Sequence, residues 1–185
     1  MENKKDLDSK VSKFNITLKQ NDLTIVCAES ITAGLLSSTI ASISGASSIL
    51  KGSIVTYSRE LKSGILKVDP KIIDKYTAES METTVEMVYG LIKVYPSSDF
   101  YVAVTGIASP GTEEYPIKGE VGDVYIAIYY RKELAENRLR EFKFKFGEID
   151  RNEIREKAVL EILNKVIEMI DVEKSPSLLA KKYSN

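Results

Sequence analysis

From residue 6 to 20, apolar side chains fall at Leu7, Val11, Phe14 and Leu18, steps of four, three and four that draw one stripe along a helix. The next apolar run, Leu23 to Ala28, has no polar alternation and predicts a short buried strand that stops at Glu29-Ser30. Small residues dominate from Thr32 to about Ile43, with Leu35, Leu36, Ile40 and Ile43 as an apolar face, so this helix can lie close to a sheet. Gly45 to Ser48 predicts a turn and Gly52 to Tyr57 a second strand. Ser58 is placed to cap a short helix over Arg59 to Leu66, which ends before Asp69-Pro70. A longer helix is predicted from about Ser80 to Val94, with Val85, Val88, Leu91 and Ile92 inward. Phe100 to Val104 is an unbroken apolar run, the kind of strand that is covered on both faces.

Thr105 to Gly119 is the longest irregular segment, and loops of that length inside a compact domain tend to be functional. Gly122 to Tyr130 predicts a fourth strand. Leu139 to Phe146 alternates Phe142, Phe144 and Phe146 with Glu141, Lys143 and Lys145, a half-exposed edge strand paired with its predecessor across Arg131 to Asn137. The Phe row reads as core or as a subunit contact. Asp150 ahead of Glu153 resembles the capped start of a last helix carrying Ile154, Ala158, Ile162, Val166 and Ile170. Helices that separate strands, followed by a strand pair, predict an α/β fold. It takes the form of an α/β sandwich with a mixed, mostly parallel sheet, in one domain over residues 1–171 with a polar tail over 172–185. Ligands of such sheets gather at the carboxyl ends of the strands, so the residues that terminate strands carry the interest.

Composition narrows the chemistry. The 26 Lys and Arg against 27 Asp and Glu give a formal net charge of −1, which argues against a nucleic-acid partner held on a broad basic face. No run approaches the ~20 apolar residues of a membrane span. The charged start Met1-Glu2-Asn3-Lys4-Lys5-Asp6 leads into no apolar signal region, so a cytoplasmic protein is expected, with neither membrane nor nucleic acid as partner. The absence of His removes the usual imidazole base and the commonest transition-metal ligand. The single Cys, Cys27, excludes an internal disulfide and a thiolate-rich metal site, and inside a strand it reads as a small core residue.

Three strand exits stand out. Ser30 lies at a strand-to-helix junction whose free backbone N–H groups could hold an oxyanion or a phosphate; the alternative is that Ser30 or Thr32 merely caps the helix. Lys62, one turn into the helix begun at Ser58, leans back toward the strand end bearing Tyr57, where it can meet a Ser from the neighbouring strand; the alternative is a solvated Lys. Thr105-Gly106-Ile107-Ala108-Ser109-Pro110-Gly111 permits a tight backbone path beside a ligand, or an ordinary turn.

The segments Ala28-Glu29-Ser30-Ile31-Thr32-Ala33-Gly34, Val55-Thr56-Tyr57-Ser58-Arg59-Glu60-Leu61-Lys62 and Val104 to Gly111 resemble, in order, the three signature stretches of the CinA C-terminal domain family. Gly122-Asp123-Val124-Tyr125 and Phe146-Gly147-Glu148-Ile149-Asp150-Arg151, followed by Ile154-Arg155, resemble its later motifs. The resemblance runs from about Leu23 to Leu163. It implies a three-layer α/β/α fold, a homo-oligomer, and an amidohydrolase that converts nicotinamide mononucleotide to nicotinate mononucleotide and ammonia. Ser30, Tyr57, Lys62, Thr105, Gly106 and Arg151 match the family pattern. Ile31 and Ala33 stand where Cys and Gly are usual, Ser109 where a Gly is usual, Arg59 where Asn is usual, and Thr77 and Glu79 where Gly and Val are usual.

On this reading Ser30 attacks the carboxamide carbon, and neutral Lys62 takes the hydroxyl proton and later delivers it to ammonia. Tyr57 relays a proton or orients the amine. The substrate, a small-molecule nucleotide, is expected against Glu29, Ile31, Thr32, Ala33 and Gly34, with Thr105, Gly106 and Arg151 as candidates for its phosphate or ribose. No metal or organic cofactor is required. An unperturbed Lys is neutral in only about one molecule in 2,500 at pH 7, so the site must depress its pKa. The alternative function is a catalytically silent nucleotide-binding or interaction module. Ser48-Ile49-Leu50-Lys51 also fits S-x-x-K, the acylating motif of penicillin-recognising enzymes, but its S-D-N and K-T-G companions are missing and a turn is expected.

Overall fold

The computed structural model describes residues 2–115, 117–132 and 138–174. Its elements in chain order are α1 (Glu2–Gln20), β1 (Ile25–Glu29), α2 (Leu35–Ala41), β2 (Leu50–Val55), α3 (Arg59–Leu66), α4 (Pro70–Tyr76), α5 (Met81–Val94), β3 (Phe100–Gly106), β4 (Asp123–Tyr130), β5 (Leu139–Lys145) and α6 (Arg151–Lys174). The five strands form one mixed sheet in the order β2-β1-β3-β4-β5. β1 pairs in parallel with β2 and with β3, whereas β4 runs antiparallel to both β3 and β5. Only β4 therefore opposes the common direction.

Strand alternation sends successive side chains to opposite faces, and each face has its own core. Ile25, Cys27, Val102, Val104 and Ile126 pack under Phe14 and Leu18 of α1, Leu36 and Ile40 of α2, and Ile154 to Ile170 of α6. Val26, Ala28, Tyr101 and Ala103 pack under Leu66 of α3, Ile73 of α4, and Met87, Val88 and Leu91 of α5. The result is the expected three-layer arrangement. Cys27 is fully buried, and burial pushes its thiol well above the ordinary range, as befits a core residue. Among the described residues no helix is long and apolar enough to cross a membrane.

The element boundaries differ from expectation at three points. The helix predicted from Thr32 begins only at Leu35, because Ala33 and Gly34 take left-handed φ values of 48° and 93° and spend the intervening residues in a turn. α3 ends at Leu66, before Asp69-Pro70 as expected, but a further helix follows that was not expected: Asp69-Pro70 opens α4, with the Asp69 carboxylate accepting from Lys71 N and Pro70 in the first turn, where its missing N–H costs nothing. α6 runs to Lys174, into the predicted tail; 175–185, like 133–137 of the β4–β5 connection, lie outside the described residues. The Phe row is half-buried against the α6 side of the core, so it is not an exposed patch. Lys51 donates to the Ser48 carbonyl and the Ser48 hydroxyl to Gly45 O, a turn with no hydroxyl–amine pair.

α3 and α5 meet unusually closely at Gly90. A Cβ there would lie 1.9 Å from the Leu66 carbonyl oxygen, so only glycine lets the helix that carries Lys62 seat against α5.

Candidate active site

β1 lies between β2 and β3; the chain leaves β1 for β2 on one side and then crosses back past β1 to β3 on the other, so the carboxyl ends of these strands frame a switch-point crevice. Ser30 follows β1 directly, its N–H bonded to Val104 O of β3 at 3.0 Å. Lys62 comes from the first turn of α3, which Ser58 starts by accepting from Leu61 N, as its position suggests. The Lys62 Nζ lies 2.9 Å from Ser30 Oγ and 2.9 Å from Thr56 O. Lys62 has no exposed surface, which is rare for lysine and excludes the solvated alternative. Burial pushes its ammonium from 10.5 down to about 8, against the negative charges of Glu79 and then Glu60, which favour the proton. At that value about a tenth of the molecules hold a neutral amine at pH 7.

Glu29 is not presented to the crevice. Its buried carboxylate accepts from the backbone N–H groups of Gly34, Leu36 and Ser37 at 2.9–3.0 Å and from the hydroxyls of Ser37 and Ser53 at 2.7 and 2.8 Å. The start of α2, expected to be open to an oxyanion, is thus already occupied by a side-chain anion. What stays open is earlier in the turn: among the described residues, Ile31 N–H and Thr32 N–H have no hydrogen-bond partner. Arg155 of α6 donates to Thr32 O at 2.9 Å and fixes this turn from the side. Ala33 is exposed and Thr32 fully buried.

Beside Ser30 opens a cavity of about 150 Å³. A void of about that size takes a single six-membered ring. Of the residues expected at a ligand, Ser30, Ile31, Tyr57, Gly106 and Arg151 line it; Glu29, Thr32, Ala33, Gly34 and Thr105 do not, and Lys62 sits behind Ser30. Gly106 admits no side chain, since a Cβ would fall 2.6 Å from Asp123 O and 2.8 Å from Ile31 Cδ1. Thr105 turns away toward α5. The Thr84 hydroxyl donates to Ser80 O at 2.6 Å, which leaves the Thr105 hydroxyl to donate to Thr84 Oγ1 at 2.7 Å. Arg151 begins α6 and spans the cavity mouth, donating to Ser109 Oγ at 2.7 Å and to the hydroxyl of Tyr57. Tyr57 is 54% exposed, and its bond to Arg151, with none to Lys62, places it at the mouth. Arg59 points elsewhere, to Asp74.

Ser109, which differs from the family pattern, lines the cavity as an altered pocket residue would; Glu79 and Ile117 also line it, and neither was expected at the site from the sequence. Glu79 sits just before Ser80, the cap of α5, and reaches the crevice through the packing of α5 on α3, which no local pattern encodes. Ile117 comes from the long loop, whose length was the one available signal. Among the described residues no group of three or more Cys, Asp or Glu side chains could hold a metal ion.

The CinA C-terminal domain model matches residues 7–170. The chain is 37% identical over 153 residues to a CinA-like protein of Flavobacterium psychrophilum, covering 83% of this chain and 34% of that one. With a CinA-like protein of Fervidobacterium nodosum it shares 47% identity over 113 residues, covering 60% and 26%. It thus spans about a third or less of the length of these curated relatives. The fold superposes on the competence/damage inducible protein CihA from Agrobacterium tumefaciens with a TM-score of 0.77 at 29% identity, covering 89% of this chain and 95% of that chain. A competence or damage-inducible protein from Enterobacter asburiae gives 0.73 at 26% identity, covering 89% and 96%. With the family model matched across nearly all of its described length, the chain belongs to the CinA C-terminal domain family.

Proposed function

We propose that the protein is an amidohydrolase that releases ammonia from the carboxamide of nicotinamide mononucleotide by a Ser–Lys mechanism. The observation that carries this reading is the buried 2.9 Å contact between Ser30 Oγ and Lys62 Nζ. Lys62 in its neutral form keeps one N–H on Thr56 O, so its lone pair faces the Ser30 hydroxyl. Ser30 Oγ attacks the amide carbon as its proton passes to Lys62, and a tetrahedral adduct forms. Ile31 N–H and Thr32 N–H are the nearest open donors for its oxyanion. Lys62 then protonates the amide nitrogen, the C–N bond breaks and ammonia leaves, giving an ester on Ser30. Water, deprotonated by the same amine, attacks that ester, and Ser30 recovers its proton as the carboxylate product departs.

The ring of the substrate fits the cavity, and its ribose phosphate lies over the open mouth, where Arg151 has N–H groups left after Ser109 and Tyr57 to offer a phosphate. Tyr57 acts from this mouth by holding Arg151, which is a positioning role. The test is ammonia release from nicotinamide mononucleotide, nicotinamide riboside and NAD in parallel. The mononucleotide alone is expected to react, and K62A and S30A each to lower the rate by about 10³-fold or more. An undiminished rate in K62A eliminates the mechanism. Calorimetric binding of the mononucleotide with no ammonia on long incubation transfers the site to a silent binding module.

A further inference from the structure

Glu79 lines the same cavity as Ser30, Tyr57 and Arg151, yet among the described residues its carboxylate makes no hydrogen bond and no ion pair. Its position is not loose. The preceding turn is pinned because Thr77 O accepts the hydroxyls of Ser80 at 3.0 Å and Thr83 at 2.6 Å, while Thr77 N–H bonds Ile73 O at 2.8 Å. Thr77 is held there at a φ of 83°, a value a β-branched residue rarely adopts, so the surrounding bonds over-determine this backbone. Neither nearby cation pairs with the carboxylate directly: Lys62, whose proton the Glu79 charge favours from a distance, lies behind Ser30 with its amine on Ser30 and Thr56, and Arg151 is engaged by Ser109 and Tyr57.

An aromatic carboxamide with its carbonyl at Ser30 puts its ring into this cavity, against Glu79. A neutral ring would strip water from the carboxylate and return nothing. A ring with a fixed positive charge would pair with it in a partly desolvated site, and the exposed face of Tyr57 adds to the attraction. We propose, resting on the deamidase reading, that Glu79 makes the pocket selective for carboxamides on a quaternised, permanently cationic ring, so that the enzyme distinguishes the oxidised pyridinium from the reduced, uncharged dihydropyridine.

The test uses two substrates with the same amide, ribose and phosphate, nicotinamide mononucleotide and its reduced dihydro form, on the wild-type chain and on E79Q. The reduced ring has a less electrophilic amide whatever Glu79 does, so the diagnostic quantity is the change in the oxidised-to-reduced ratio of kcat/KM. E79Q is expected to lower that ratio about tenfold, chiefly through KM of the oxidised substrate. Loss of the Glu79 charge also alters the basicity of Lys62, but that affects both substrates alike and cancels in the ratio. A ratio unchanged by E79Q overturns the proposal. If the wild-type chain releases ammonia from neither substrate, the deamidase reading fails, and the charge preference is then judged by calorimetry with 1-methylnicotinamide and uncharged nicotinamide. A preference for the cation that E79Q abolishes sustains it; equal binding, or none, overturns it.

Discussion

Two carboxylates flank the dyad, and their surroundings could hardly differ more. Glu29, in the turn after β1, is sealed in and accepts five hydrogen bonds from the start of α2 and from Ser53. Glu79, in the turn before α5, faces the cavity and accepts none among the described residues. The first is scaffold: it fixes the turn that aims Ser30. The second is free to answer to a ligand. A carboxylate near a nucleophile thus tells little by its presence; its donors decide whether it serves the fold or the substrate.

The sharpest way to break the contrast is E29A. It strands three N–H groups at the head of α2, that of Leu36 fully buried, and about 3 kcal/mol of stability is expected to go, about 10 °C in Tm by thermal denaturation. A loss under about 1 kcal/mol would mean that α2 supports itself and that Glu29 is not scaffold. Next comes pH. Under the proposed mechanism Lys62 works only when neutral, and its pKa is pushed to about 8, so kcat should fall nearly tenfold for each unit below about 8 and level off above it. In E79Q the midpoint should move to lower pH, because the carboxylate favours the protonated amine. A profile flat from pH 6 to 9 removes Lys62 as the base. T77G should stabilise by about 1 kcal/mol, because relief of a β-branched residue at positive φ, and of a buried hydroxyl with no partner, outweighs the added freedom of the unfolded chain. Smallest is the effect of E79Q on Tm, expected within about 0.5 kcal/mol, as for a side chain that bonds to nothing.

Much of this was legible before any coordinates. The apolar runs placed all five strands, and the Ser58 cap placed the start of α3 and hence Lys62 beside the end of its neighbour strand. Those features are local, set by burial on two faces and by one side chain meeting one backbone N–H. α4 escaped because Asp69-Pro70 terminates or begins a helix with equal ease, and what lay beyond it decided the matter. The shortened α2 turned on Ala33 and Gly34, whose left-handed backbone has no signature in an Ala-Gly pair. Glu29 was expected at the substrate because it belongs to the family-like stretch around Ser30; that it caps the next helix instead depends on that helix folding back over it. Thr105 faced the wrong way for the same kind of reason, its partner being Thr84 on another element.

Gly90 has a bearing on chemistry that its distance from the crevice conceals. It contacts neither Ser30 nor Lys62, but it touches the far end of the rod on which the amine rides, and Leu66 is the last residue of that rod. A single methyl group at that spot would act as a wedge, tilting the rod and drawing donor from acceptor while every reacting atom kept its identity. A random screen for dead variants should therefore recover this silent hinge on the back of α5 alongside Ser30 and Lys62.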